Sequence, residues 1–208
     1  SKLDEFFARY QKAFAQKHIA KLMAQVPTYM ILDDHEIEDN WTQDRFYQNA
    51  SDRQLYAAAM HAYQCYQVIH GPAFDYSAGA PPEKYWYAFR NGCANFFVMD
   101  TRTERFIETP MRQIISDYQM QALKSWLLAP NSGVKFIVSS VPFFPDQKDM
   151  SKDKWSGFDQ QRIEILDLIR DNEIQRVVFL SGDIHCSMSS KLTCSTHPNF
   201  NIHSIISS

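Results

Sequence analysis

Two short clusters of ionisable residues carry the chemistry that this sequence offers. The sequence Asp-Asp-His-Glu occupies residues 33–36, directly after the apolar, β-prone residues 28–32, and Gly-Asp-Ile-His occupies residues 182–185, directly after a similar run at 176–181. Open α/β sheets build their binding sites from side chains at the carboxyl ends of strands. Carboxylates and imidazoles together suit cations such as Mn, Fe, Zn or Ca. The two clusters therefore predict a metal-dependent enzyme.

The physical chemistry of the clusters supports that prediction. Four adjacent ionisable side chains repel one another and lose hydration at a strand end unless a cation or an arginine compensates them. In an extended segment Asp183 and His185 would lie on the same side, and Gly182 would let the backbone approach an ion closely. Each cluster alone also fits a charged strand end in solvent. The presence of both favours a shared metal site.

Arg102, in the sequence Asp100-Thr101-Arg102, has two interpretations. Its guanidinium could bind a phosphate, because the planar fork matches the geometry of that anion. Alternatively, it forms a structural ion pair with Asp100 or Glu104. The residues themselves leave both open.

The four cysteines, Cys65, Cys93, Cys186 and Cys194, show no Cys-x-x-Cys spacing, which argues against a zinc ribbon or a redox dithiol. We expect buried thiols, given the apolar neighbours of Cys65 and Cys93. Cys186 directly follows His185, so a role near a metal, or a thiol-dependent enzyme, stays open.

Composition narrows the class of protein. The chain has 208 residues, of which 45% are apolar and 14% aromatic, so it can bury a core of one domain. Its net charge is −3, with 21 basic and 24 acidic residues and no long basic run, which does not indicate a nucleic-acid groove. No apolar run is long enough for a membrane span. The sequence leaves a cytoplasmic and a periplasmic or secreted location open, and it does not indicate an oligomeric state.

Periodicity and turn residues predict alternating helices and strands. Helices are expected at residues 3–25 and from a cap at Ser51 or Asp52 to residue 70. A third helix is expected to begin at a capping box of Ser116 with Gln119. A fourth is expected to begin at a cap at Asp159, with Ile163, Leu166 and Ile169 facing inward. Strands are expected at residues 28–32, 134–139, 176–181 and 202–206, and as a hairpin of 85–90 with 93–99 around a type I′ turn at Asn91-Gly92. Residues 77–83 are expected to form a surface loop. This order favours an α/β fold of two packed sheets with outer helices.

Several of these motifs resemble those of a known family. Asp-Asp-His-Glu followed by Asn40-Trp41, then Phe-Phe-Val-Met-Asp-Thr-Arg at 96–102, Trp-Ser-Gly-Phe at 155–158 and Phe-Leu-Ser-Gly-Asp-Ile-His at 179–185 resemble, in this order, the PhoD-like alkaline phosphatases. That family belongs to the calcineurin-like metallophosphoesterases. The resemblance implies a four-layer αββα sandwich with a metal cluster at strand ends.

The resemblance also implies roles for individual residues. Asp34, Asp183 and His185 correspond to metal ligands, for Fe, Ca, Mn or Zn. His35 corresponds to the imidazole that contacts the phosphate, Glu36 to the carboxylate that orients it, and Arg102 remains the candidate for gripping phosphate. The implied reaction is hydrolysis of phosphate monoesters, diesters or both by a metal-activated water, on small-molecule substrates.

The chain also departs from the family pattern. A Gly-Asp-x-x-Tyr motif with early ligands is absent, and Ser139-Ser140 stands where many relatives outside this branch carry a histidine ligand. We therefore expect residues 1–208 to be the C-terminal major part of one phosphatase domain, without its N-terminal portion, and inactive if the upstream ligands are required. The alternative function is a truncated or degenerate phosphoesterase fold that serves in binding or assembly.

The ester preference is not set by the sequence. The loop aromatics Trp41, Phe46, Tyr47, Phe74 and Tyr76 could line a pocket for an apolar leaving group, or they could pack the loops onto the body of the protein.

Overall fold

The central element of the fold is one mixed sheet of six strands. A computed structural model describes residues 1–70, 84–108, 110, 112–130, 132–145 and 153–207. The strand order across the sheet is β1-β2-β3-β4-β6-β5. Strands β2, β3, β4 and β6 run parallel, and β1 and β5 are antiparallel edges. The six strands are β1 (Tyr87–Asn91), β2 (Ala94–Val98), β3 (Val134–Ser139), β4 (Val177–Ser181), β5 (Met188–Cys194) and β6 (His197–Ile206).

The helices precede β1, connect β2 to β3, or connect β3 to β4. They are α1 (Lys2–Phe14), α2 (Lys17–Gln25), α3 (Gln43–Gln48), α4 (Ala50–Tyr66), α5 (Asp117–Leu128) and α6 (Asp159–Asp171). The predicted α/β fold class is confirmed. Among the described residues, no helix combines the length and apolarity that crossing a membrane requires.

The two faces of the sheet differ in burial. On one face Phe97, Ile137 and Phe179 are fully buried in a core that includes Leu123 of α5 and Ile165 of α6. The opposite face carries half-buried aromatic rings, among them Phe96, whose ring lies 4.7 Å from that of Phe89 and 5.0 Å from that of Phe136. An apolar second face is expected of a sheet that packs in a two-sheet sandwich. The described residues themselves form one sheet.

A second, smaller core holds the first ionisable cluster in place. Leu32, Ile37 and Trp41 are buried together with Met60 and Tyr63 of α4. Residues 33–36 therefore lie in a turn between two buried anchors, Leu32 and Ile37.

Two predictions about the N-terminal region were wrong. The expected helix at residues 3–25 is two helices that meet at residues 15–16. Residues 28–32 form no strand, because no backbone ladder joins them to another segment among the described residues. They lie beside β1 through side chains: the ring of Tyr29 stacks 3.8 Å from that of Phe89, and Tyr87 Oη donates to Met30 O at 2.8 Å.

The hairpin is confirmed, but its register differs by one residue. Asn91 pairs with Ala94, so the two-residue turn is Gly92-Cys93 rather than Asn91-Gly92. Gly92 has φ +59, a conformation that glycine adopts without steric penalty. Strand β5 was not predicted, because its burial is only intermittent and leaves a weak apolar pattern.

The predicted helix starts were partly right. Ser116 caps α5 by accepting from Gln119 N at 3.1 Å, but the Gln119 side chain does not complete a capping box. Asn49, and neither Ser51 nor Asp52, caps α4.

In α6 the predicted cap and inward face were also only partly right. Asp159 is the first helical residue rather than the cap of α6. Ile165 and Ile169 are its buried residues, whereas Ile163 is half exposed and Leu166 packs at the margin of the core. The loop expected at residues 77–83 lies outside the described residues.

Lys135 of β3 joins the sheet to the end of α5. Its side chain is buried, and Nζ donates to the backbone oxygens of Trp126, Leu127 and Ala129. A helix leaves its last carbonyls without internal partners, so a lysine at this end satisfies them and complements the helix dipole.

Replacing Lys135 should therefore destabilise the fold. We expect Lys135→Met to lower the free energy of unfolding by about 1–3 kcal/mol, because buried carbonyls lose charged donors. Lys124→Met, which removes only a contact with Glu164 at the surface, should cost about 0–1 kcal/mol. Urea denaturation of both variants measures the difference, and equal losses would contradict the capping role.

Candidate active site

The candidate site lies at the edge of the sheet where the parallel strands end. Strands β2, β3 and β4 are parallel, so the segments that follow them meet at one edge. Thr101 Oγ1 lies 2.6 Å from Ser140 Oγ, and Gly182 N donates to Ser140 O at 3.2 Å. The segments after the three strands are thereby held together, as the sequence predicts.

Asp34 is fixed within the turn of residues 33–36 (the first turn). It is 4% exposed, its Oδ1 accepts from His35 N at 2.7 Å, and its Oδ2 accepts from Asn40 N at 2.8 Å. Its backbone oxygen accepts from the N–H groups of Ile37 and Glu38. The carboxylate therefore stabilises the turn and has a defined orientation.

Three carboxylates converge at this edge. One ligand oxygen from each of Asp33, Asp34 and Asp183 lies within 4.8 Å of the others. Burial, together with the negative charges of Asp33 and Asp153, raises the pKa of Asp183 to about 6. Crowded carboxylate oxygens are the donors that hard cations prefer, so this set fits a metal ion. Asp34 and Asp183 are predicted ligands; Asp33 lies within the predicted cluster but had no role assigned.

Arg102 is fully buried among these acids. Its Nε donates to Asp33 Oδ1 at 2.7 Å and its Nη1 to Asp153 Oδ1 at 2.7 Å, and Nη2 lies 4.0 Å from Asp34 Oδ2. Burial lowers the pKa of Arg102, but the charges of Asp33, Asp153 and Asp34 outweigh this effect and raise it. This geometry favours the structural interpretation of Arg102, with different acids from the predicted Asp100 and Glu104.

A second buried arginine shares one of these acids. Arg105 Nη1 donates to Asp153 Oδ1 at 2.7 Å, and its Nε donates to Thr101 O at 2.9 Å. Burial, together with the neighbouring charge of Arg102, lowers the pKa of Arg105 to about 10, although the charge of Asp153 opposes this effect. Asp153 and Arg105 carry no local sequence signal, because 48 residues separate them.

His185 does not join the carboxylates. Its side chain is exposed, and it belongs to neither group of potential ligands found among the described residues. The expectation of an extended segment was wrong. Strand β4 ends at Ser181, and Asp183 and His185 have φ values of +73 and +53. In this left-handed turn side chains no longer alternate, so Asp183 and His185 do not share a side as strand neighbours would.

His35 stands at the solvent side of the same turn. Its side chain is 77% exposed, and its Nε2 lies 3.4 Å from Asp39 Oδ1. Asp34, His35 and Asp39 form a second group whose potential ligand atoms lie within 4.8 Å of one another. Asp39 is a residue that sequence reasoning missed, although its spacing of four from His35 within a polar loop is a usable signal.

Glu36 has a different environment from the predicted one. Its Oε2 accepts from Asp33 N at 3.0 Å and its Oε1 from Gln67 Nε2 at 2.9 Å. The carboxylate beside the His35 ring is that of Asp39. Glu36 instead fixes the turn and attaches it to Gln67 at the end of α4.

The Ser139-Ser140 pair is occupied by structural contacts. Ser139 Oγ accepts from Trp155 Nε1 at 3.0 Å and donates to Val141 O at 2.7 Å. Together with the contact between Ser140 and Thr101, these bonds tie the end of β3 to its neighbours.

The expectation of buried thiols was wrong. Cys65, Cys93 and Cys186 are exposed, and Cys194 is half exposed. Cys194 Sγ lies 3.2 Å from Thr196 Oγ1 and 3.6 Å from His197 Nδ1, and hydrogen bonds with these two residues lower its pKa to about 7. Residues 194–197 join β5 to β6 at the edge of the sheet opposite to the carboxylates. The last residue of β6, Ile206, pairs with Ser181, which ends β4 next to the carboxylates, so the first residues of β6 lie at the other edge.

Comparisons with known proteins agree with this fold. The sequence matches the family of PhoD-like phosphatases over residues 1–206. It is 25% identical over 212 residues to the alkaline phosphatase D of Bacillus subtilis (strain 168). The matched region covers 91% of this chain and 36% of that protein. A solved structure of PhoD has the same fold, with a TM-score of 0.67 and 23% identity over 84% of this chain and 38% of that one. The chain thus spans little more than a third of the length of these relatives.

Arg102 should be required for stability because its buried guanidinium joins Asp33 to Asp153. We expect Arg102→Met to lower the free energy of unfolding by about 3–5 kcal/mol, since Asp33 loses this ion pair and Asp153 keeps only its pair with Arg105. Arg170→Met, which removes contacts with Asp167 and Asp171 at the surface, should change it by about 1 kcal/mol or less. Chemical denaturation compares the two, and equal effects would contradict the proposed compensation.

Cys194 should be the most reactive thiol near neutral pH. Thiolates, and not thiols, attack alkylating reagents, and a pKa of about 7 leaves about half of Cys194 ionised at pH 7. Iodoacetamide labelling followed by peptide mass analysis should show Cys194 modified first, with a rate that rises through pH 7. Cys65, Cys93 and Cys186 are internal controls in the same sample. Preferential labelling of any of them at pH 7 would contradict this.

Proposed function

Since the chain belongs to the PhoD-like phosphatase family, we propose that its carboxylate cluster is part of a site for metal-dependent hydrolysis of phosphate monoesters and diesters. The observation that carries the proposal is the convergence of Asp33, Asp34 and Asp183 at the edge where the strands end. Three acids so close together are unfavourable without a cation. Arg102 supplies one positive charge, and a metal ion would supply the remainder.

The donor set defines the kind of metal. Asp33, Asp34 and Asp183 would hold it through carboxylate oxygens, which suit Ca, Mn or Fe, and a histidine ligand would add affinity for Zn or Fe. When bound, such an ion supplies Lewis acidity toward the phosphoryl group and its attacking water. His185 as a further ligand stays a prediction, and would require its exposed side chain to turn toward Asp183.

His35 is the proposed proton donor to the leaving alkoxide. It is exposed to solvent and thus to a substrate, and it adjoins the acidic cluster through Asp34. Asp39 Oδ1 lies 3.4 Å from Nε2 and limits the orientation of the ring. Glu36 supports His35 indirectly by fixing the turn, through Asp33 N and Gln67.

Arg102 acts on the acids more than on the substrate in this proposal. Two of its nitrogens bind Asp33 and Asp153, which keeps the acids in place while a cation is exchanged. Its Nη2 has no hydrogen-bond partner among the described residues. A direct bond from this nitrogen to a phosphoryl oxygen stays a prediction.

Whether the chain is active by itself is a separate matter. It covers little more than a third of the length of its relatives. The alternative, a non-catalytic binding or assembly domain, predicts a folded chain that binds no metal even within the full-length protein.

Two substitutions separate proton transfer from metal binding. In full-length protein supplied with metal, we expect His35→Ala to reduce kcat for methyl phosphate, whose alkoxide must be protonated to leave, by about 10²–10⁴ with unchanged metal content. Asp183→Asn should reduce both metal content and activity, because an amide is a weaker ligand than a carboxylate.

The control is His18→Ala, an exposed histidine on α2, which should leave both quantities unchanged. Elemental analysis and steady-state kinetics give the two measurements. Retention of most of the wild-type kcat by His35→Ala would refute the role of this histidine, and full metal content in Asp183→Asn would refute that of the acid.

A further inference from the structure

A cavity of about 590 Å³ opens beside His35. It lies between α1, the turn that holds His35 and Asp39, and the two ends of α4, where Leu55 and Gln67 contribute. Cavities that bind small molecules typically measure about 300–1,000 Å³. The cavity is therefore large enough for a substrate fragment of one or two rings.

The walls of the cavity are mainly apolar. Phe6 and Phe14 of α1, Ile37 of the turn and Leu55 of α4 line it, together with Tyr10. Such a surface gains free energy when an apolar group displaces water from it.

Tyr10 gives the cavity a fixed wall. Its ring stacks on that of Tyr66 at 4.9 Å with an interplanar angle of 3°, and its Oη accepts from Gln67 Nε2 at 3.1 Å. Gln67 also donates to Glu36, so the wall and the His35 turn are joined through one side chain. An organic substituent of the phosphate ester (the arm) that binds in the cavity would thus be positioned relative to His35.

Charge at the rim selects against an anionic arm. The lining acids are Glu5, Glu36, Glu38 and Asp39, and the lining bases are Lys2 and Arg9, apart from His35. Glu38 is paired with Arg45, which leaves the acids close to balance with the bases. An additional negative charge on the arm finds no surplus of positive charge here, whereas an uncharged arm meets no electrostatic penalty.

We propose that this cavity binds the apolar alcohol arm of the phosphate ester, and so makes the site selective for esters of aryl or long alkyl alcohols. The inference rests on the proposed phosphoesterase function. In the reaction the water oxygen bonds to phosphorus and releases a proton to solvent, and the bond between phosphorus and the arm oxygen breaks. The arm leaves as an alcohol after taking the His35 proton, which solvent then restores. The arm and His35 share the cavity, which brings the donor to that oxygen.

The aromatic residues of the loop after the turn do not supply this pocket. Trp41 is fully buried in the smaller core, and Phe46 packs against the same core. Tyr47 is exposed but is not among the residues that line the cavity. Phe74 and Tyr76 lie outside the described residues. Phe6, Tyr10 and Phe14 of the apolar wall come from α1, a helix for which the sequence predicts no role in the site.

The experiment compares two esters in metal-loaded full-length enzyme. It measures kcat/KM for 1-naphthyl phosphate and for methyl phosphate by release of inorganic phosphate. Ala13→Trp fills the cavity from an exposed position of α1, and Ala8→Trp places the same side chain at an exposed position of α1 that does not line it. The ratio of the two kcat/KM values is the readout. Damage to proton donation would lower the value for methyl phosphate at least as much as that for 1-naphthyl phosphate, because methoxide is the more basic leaving group, so such damage cannot lower the ratio.

We expect Ala13→Trp to lower the naphthyl-to-methyl ratio by about 10-fold or more, since losing contact with an apolar arm has effects of that size. Ala8→Trp should leave the ratio unchanged. Phe6→Ala should lower the ratio as well, with Phe7→Ala as its control, because the Phe7 ring packs on His61 and Tyr66 instead. An unchanged ratio in Ala13→Trp would overturn the proposal.

Direct binding distinguishes failure of the cavity from failure of the phosphoesterase function. Binding of 1-naphthol to the 208-residue chain, followed by NMR, needs neither metal nor turnover. Wild type and Ala8→Trp should bind 1-naphthol, and Ala13→Trp should bind it at least 10-fold more weakly. If the enzyme hydrolyses neither ester but this pattern holds, the proposed function fails and the cavity stands. If wild type does not bind 1-naphthol, or Ala13→Trp binds it equally well, the cavity proposal is overturned.

Discussion

The ion pairing of Arg102 is the interaction on which the site depends. Its guanidinium is fully buried and joins Asp33, from the first turn, to Asp153, from the segment before α6. Buried charges are costly to desolvate, so such pairs contribute little net stability yet are strongly unfavourable to break. The folded protein therefore keeps these two segments together. The acids can lie close to one another because the guanidinium of Arg102 lies between them and compensates part of their charge.

The loop that carries Arg102 is itself fixed by a buried polar network. Gln119 of α5 accepts from Asp100 N at 3.0 Å and donates to Asp100 O at 2.9 Å, and Asp100 Oδ1 accepts from Arg102 N at 3.0 Å. Burial raises the pKa of Asp100, and its hydrogen bonds with Thr103 and Arg102 oppose that effect. This use of Gln119 explains why the capping box of α5 stays half formed: the side chain holds the strand-end loop instead of the helix start.

Rigidity and exposure are divided between the two sides of the first turn. Asp34 is buried and bonded through both oxygens, whereas His35, one residue later, is open to solvent. A group that must exchange a proton with a substrate benefits from access, and a group that must hold a cation benefits from a fixed position. The cavity beside His35 continues this arrangement, because the stack of Tyr10 on Tyr66 gives it one rigid wall while its mouth stays open.

The sequence by itself determined the elements with strong local signals and the chemical type of the site. The hairpin, β3, β4 and α5 follow from turn residues, apolar runs and a helix cap, and the clustering of Asp34 with Asp183 follows from their place after apolar runs. Tertiary structure decided the remainder. Asp33 and Asp153 meet Arg102 across 69 and 51 residues. Residues 28–32 form no strand, because no segment in the described part of the chain pairs with their backbone. The chain after β4 likewise turns at Asp183 and His185, both with positive φ, instead of continuing extended. Local patterns depend on neighbours a few residues apart, whereas ion pairing, strand pairing and side-chain direction at a strand end depend on which distant segments the fold brings into contact.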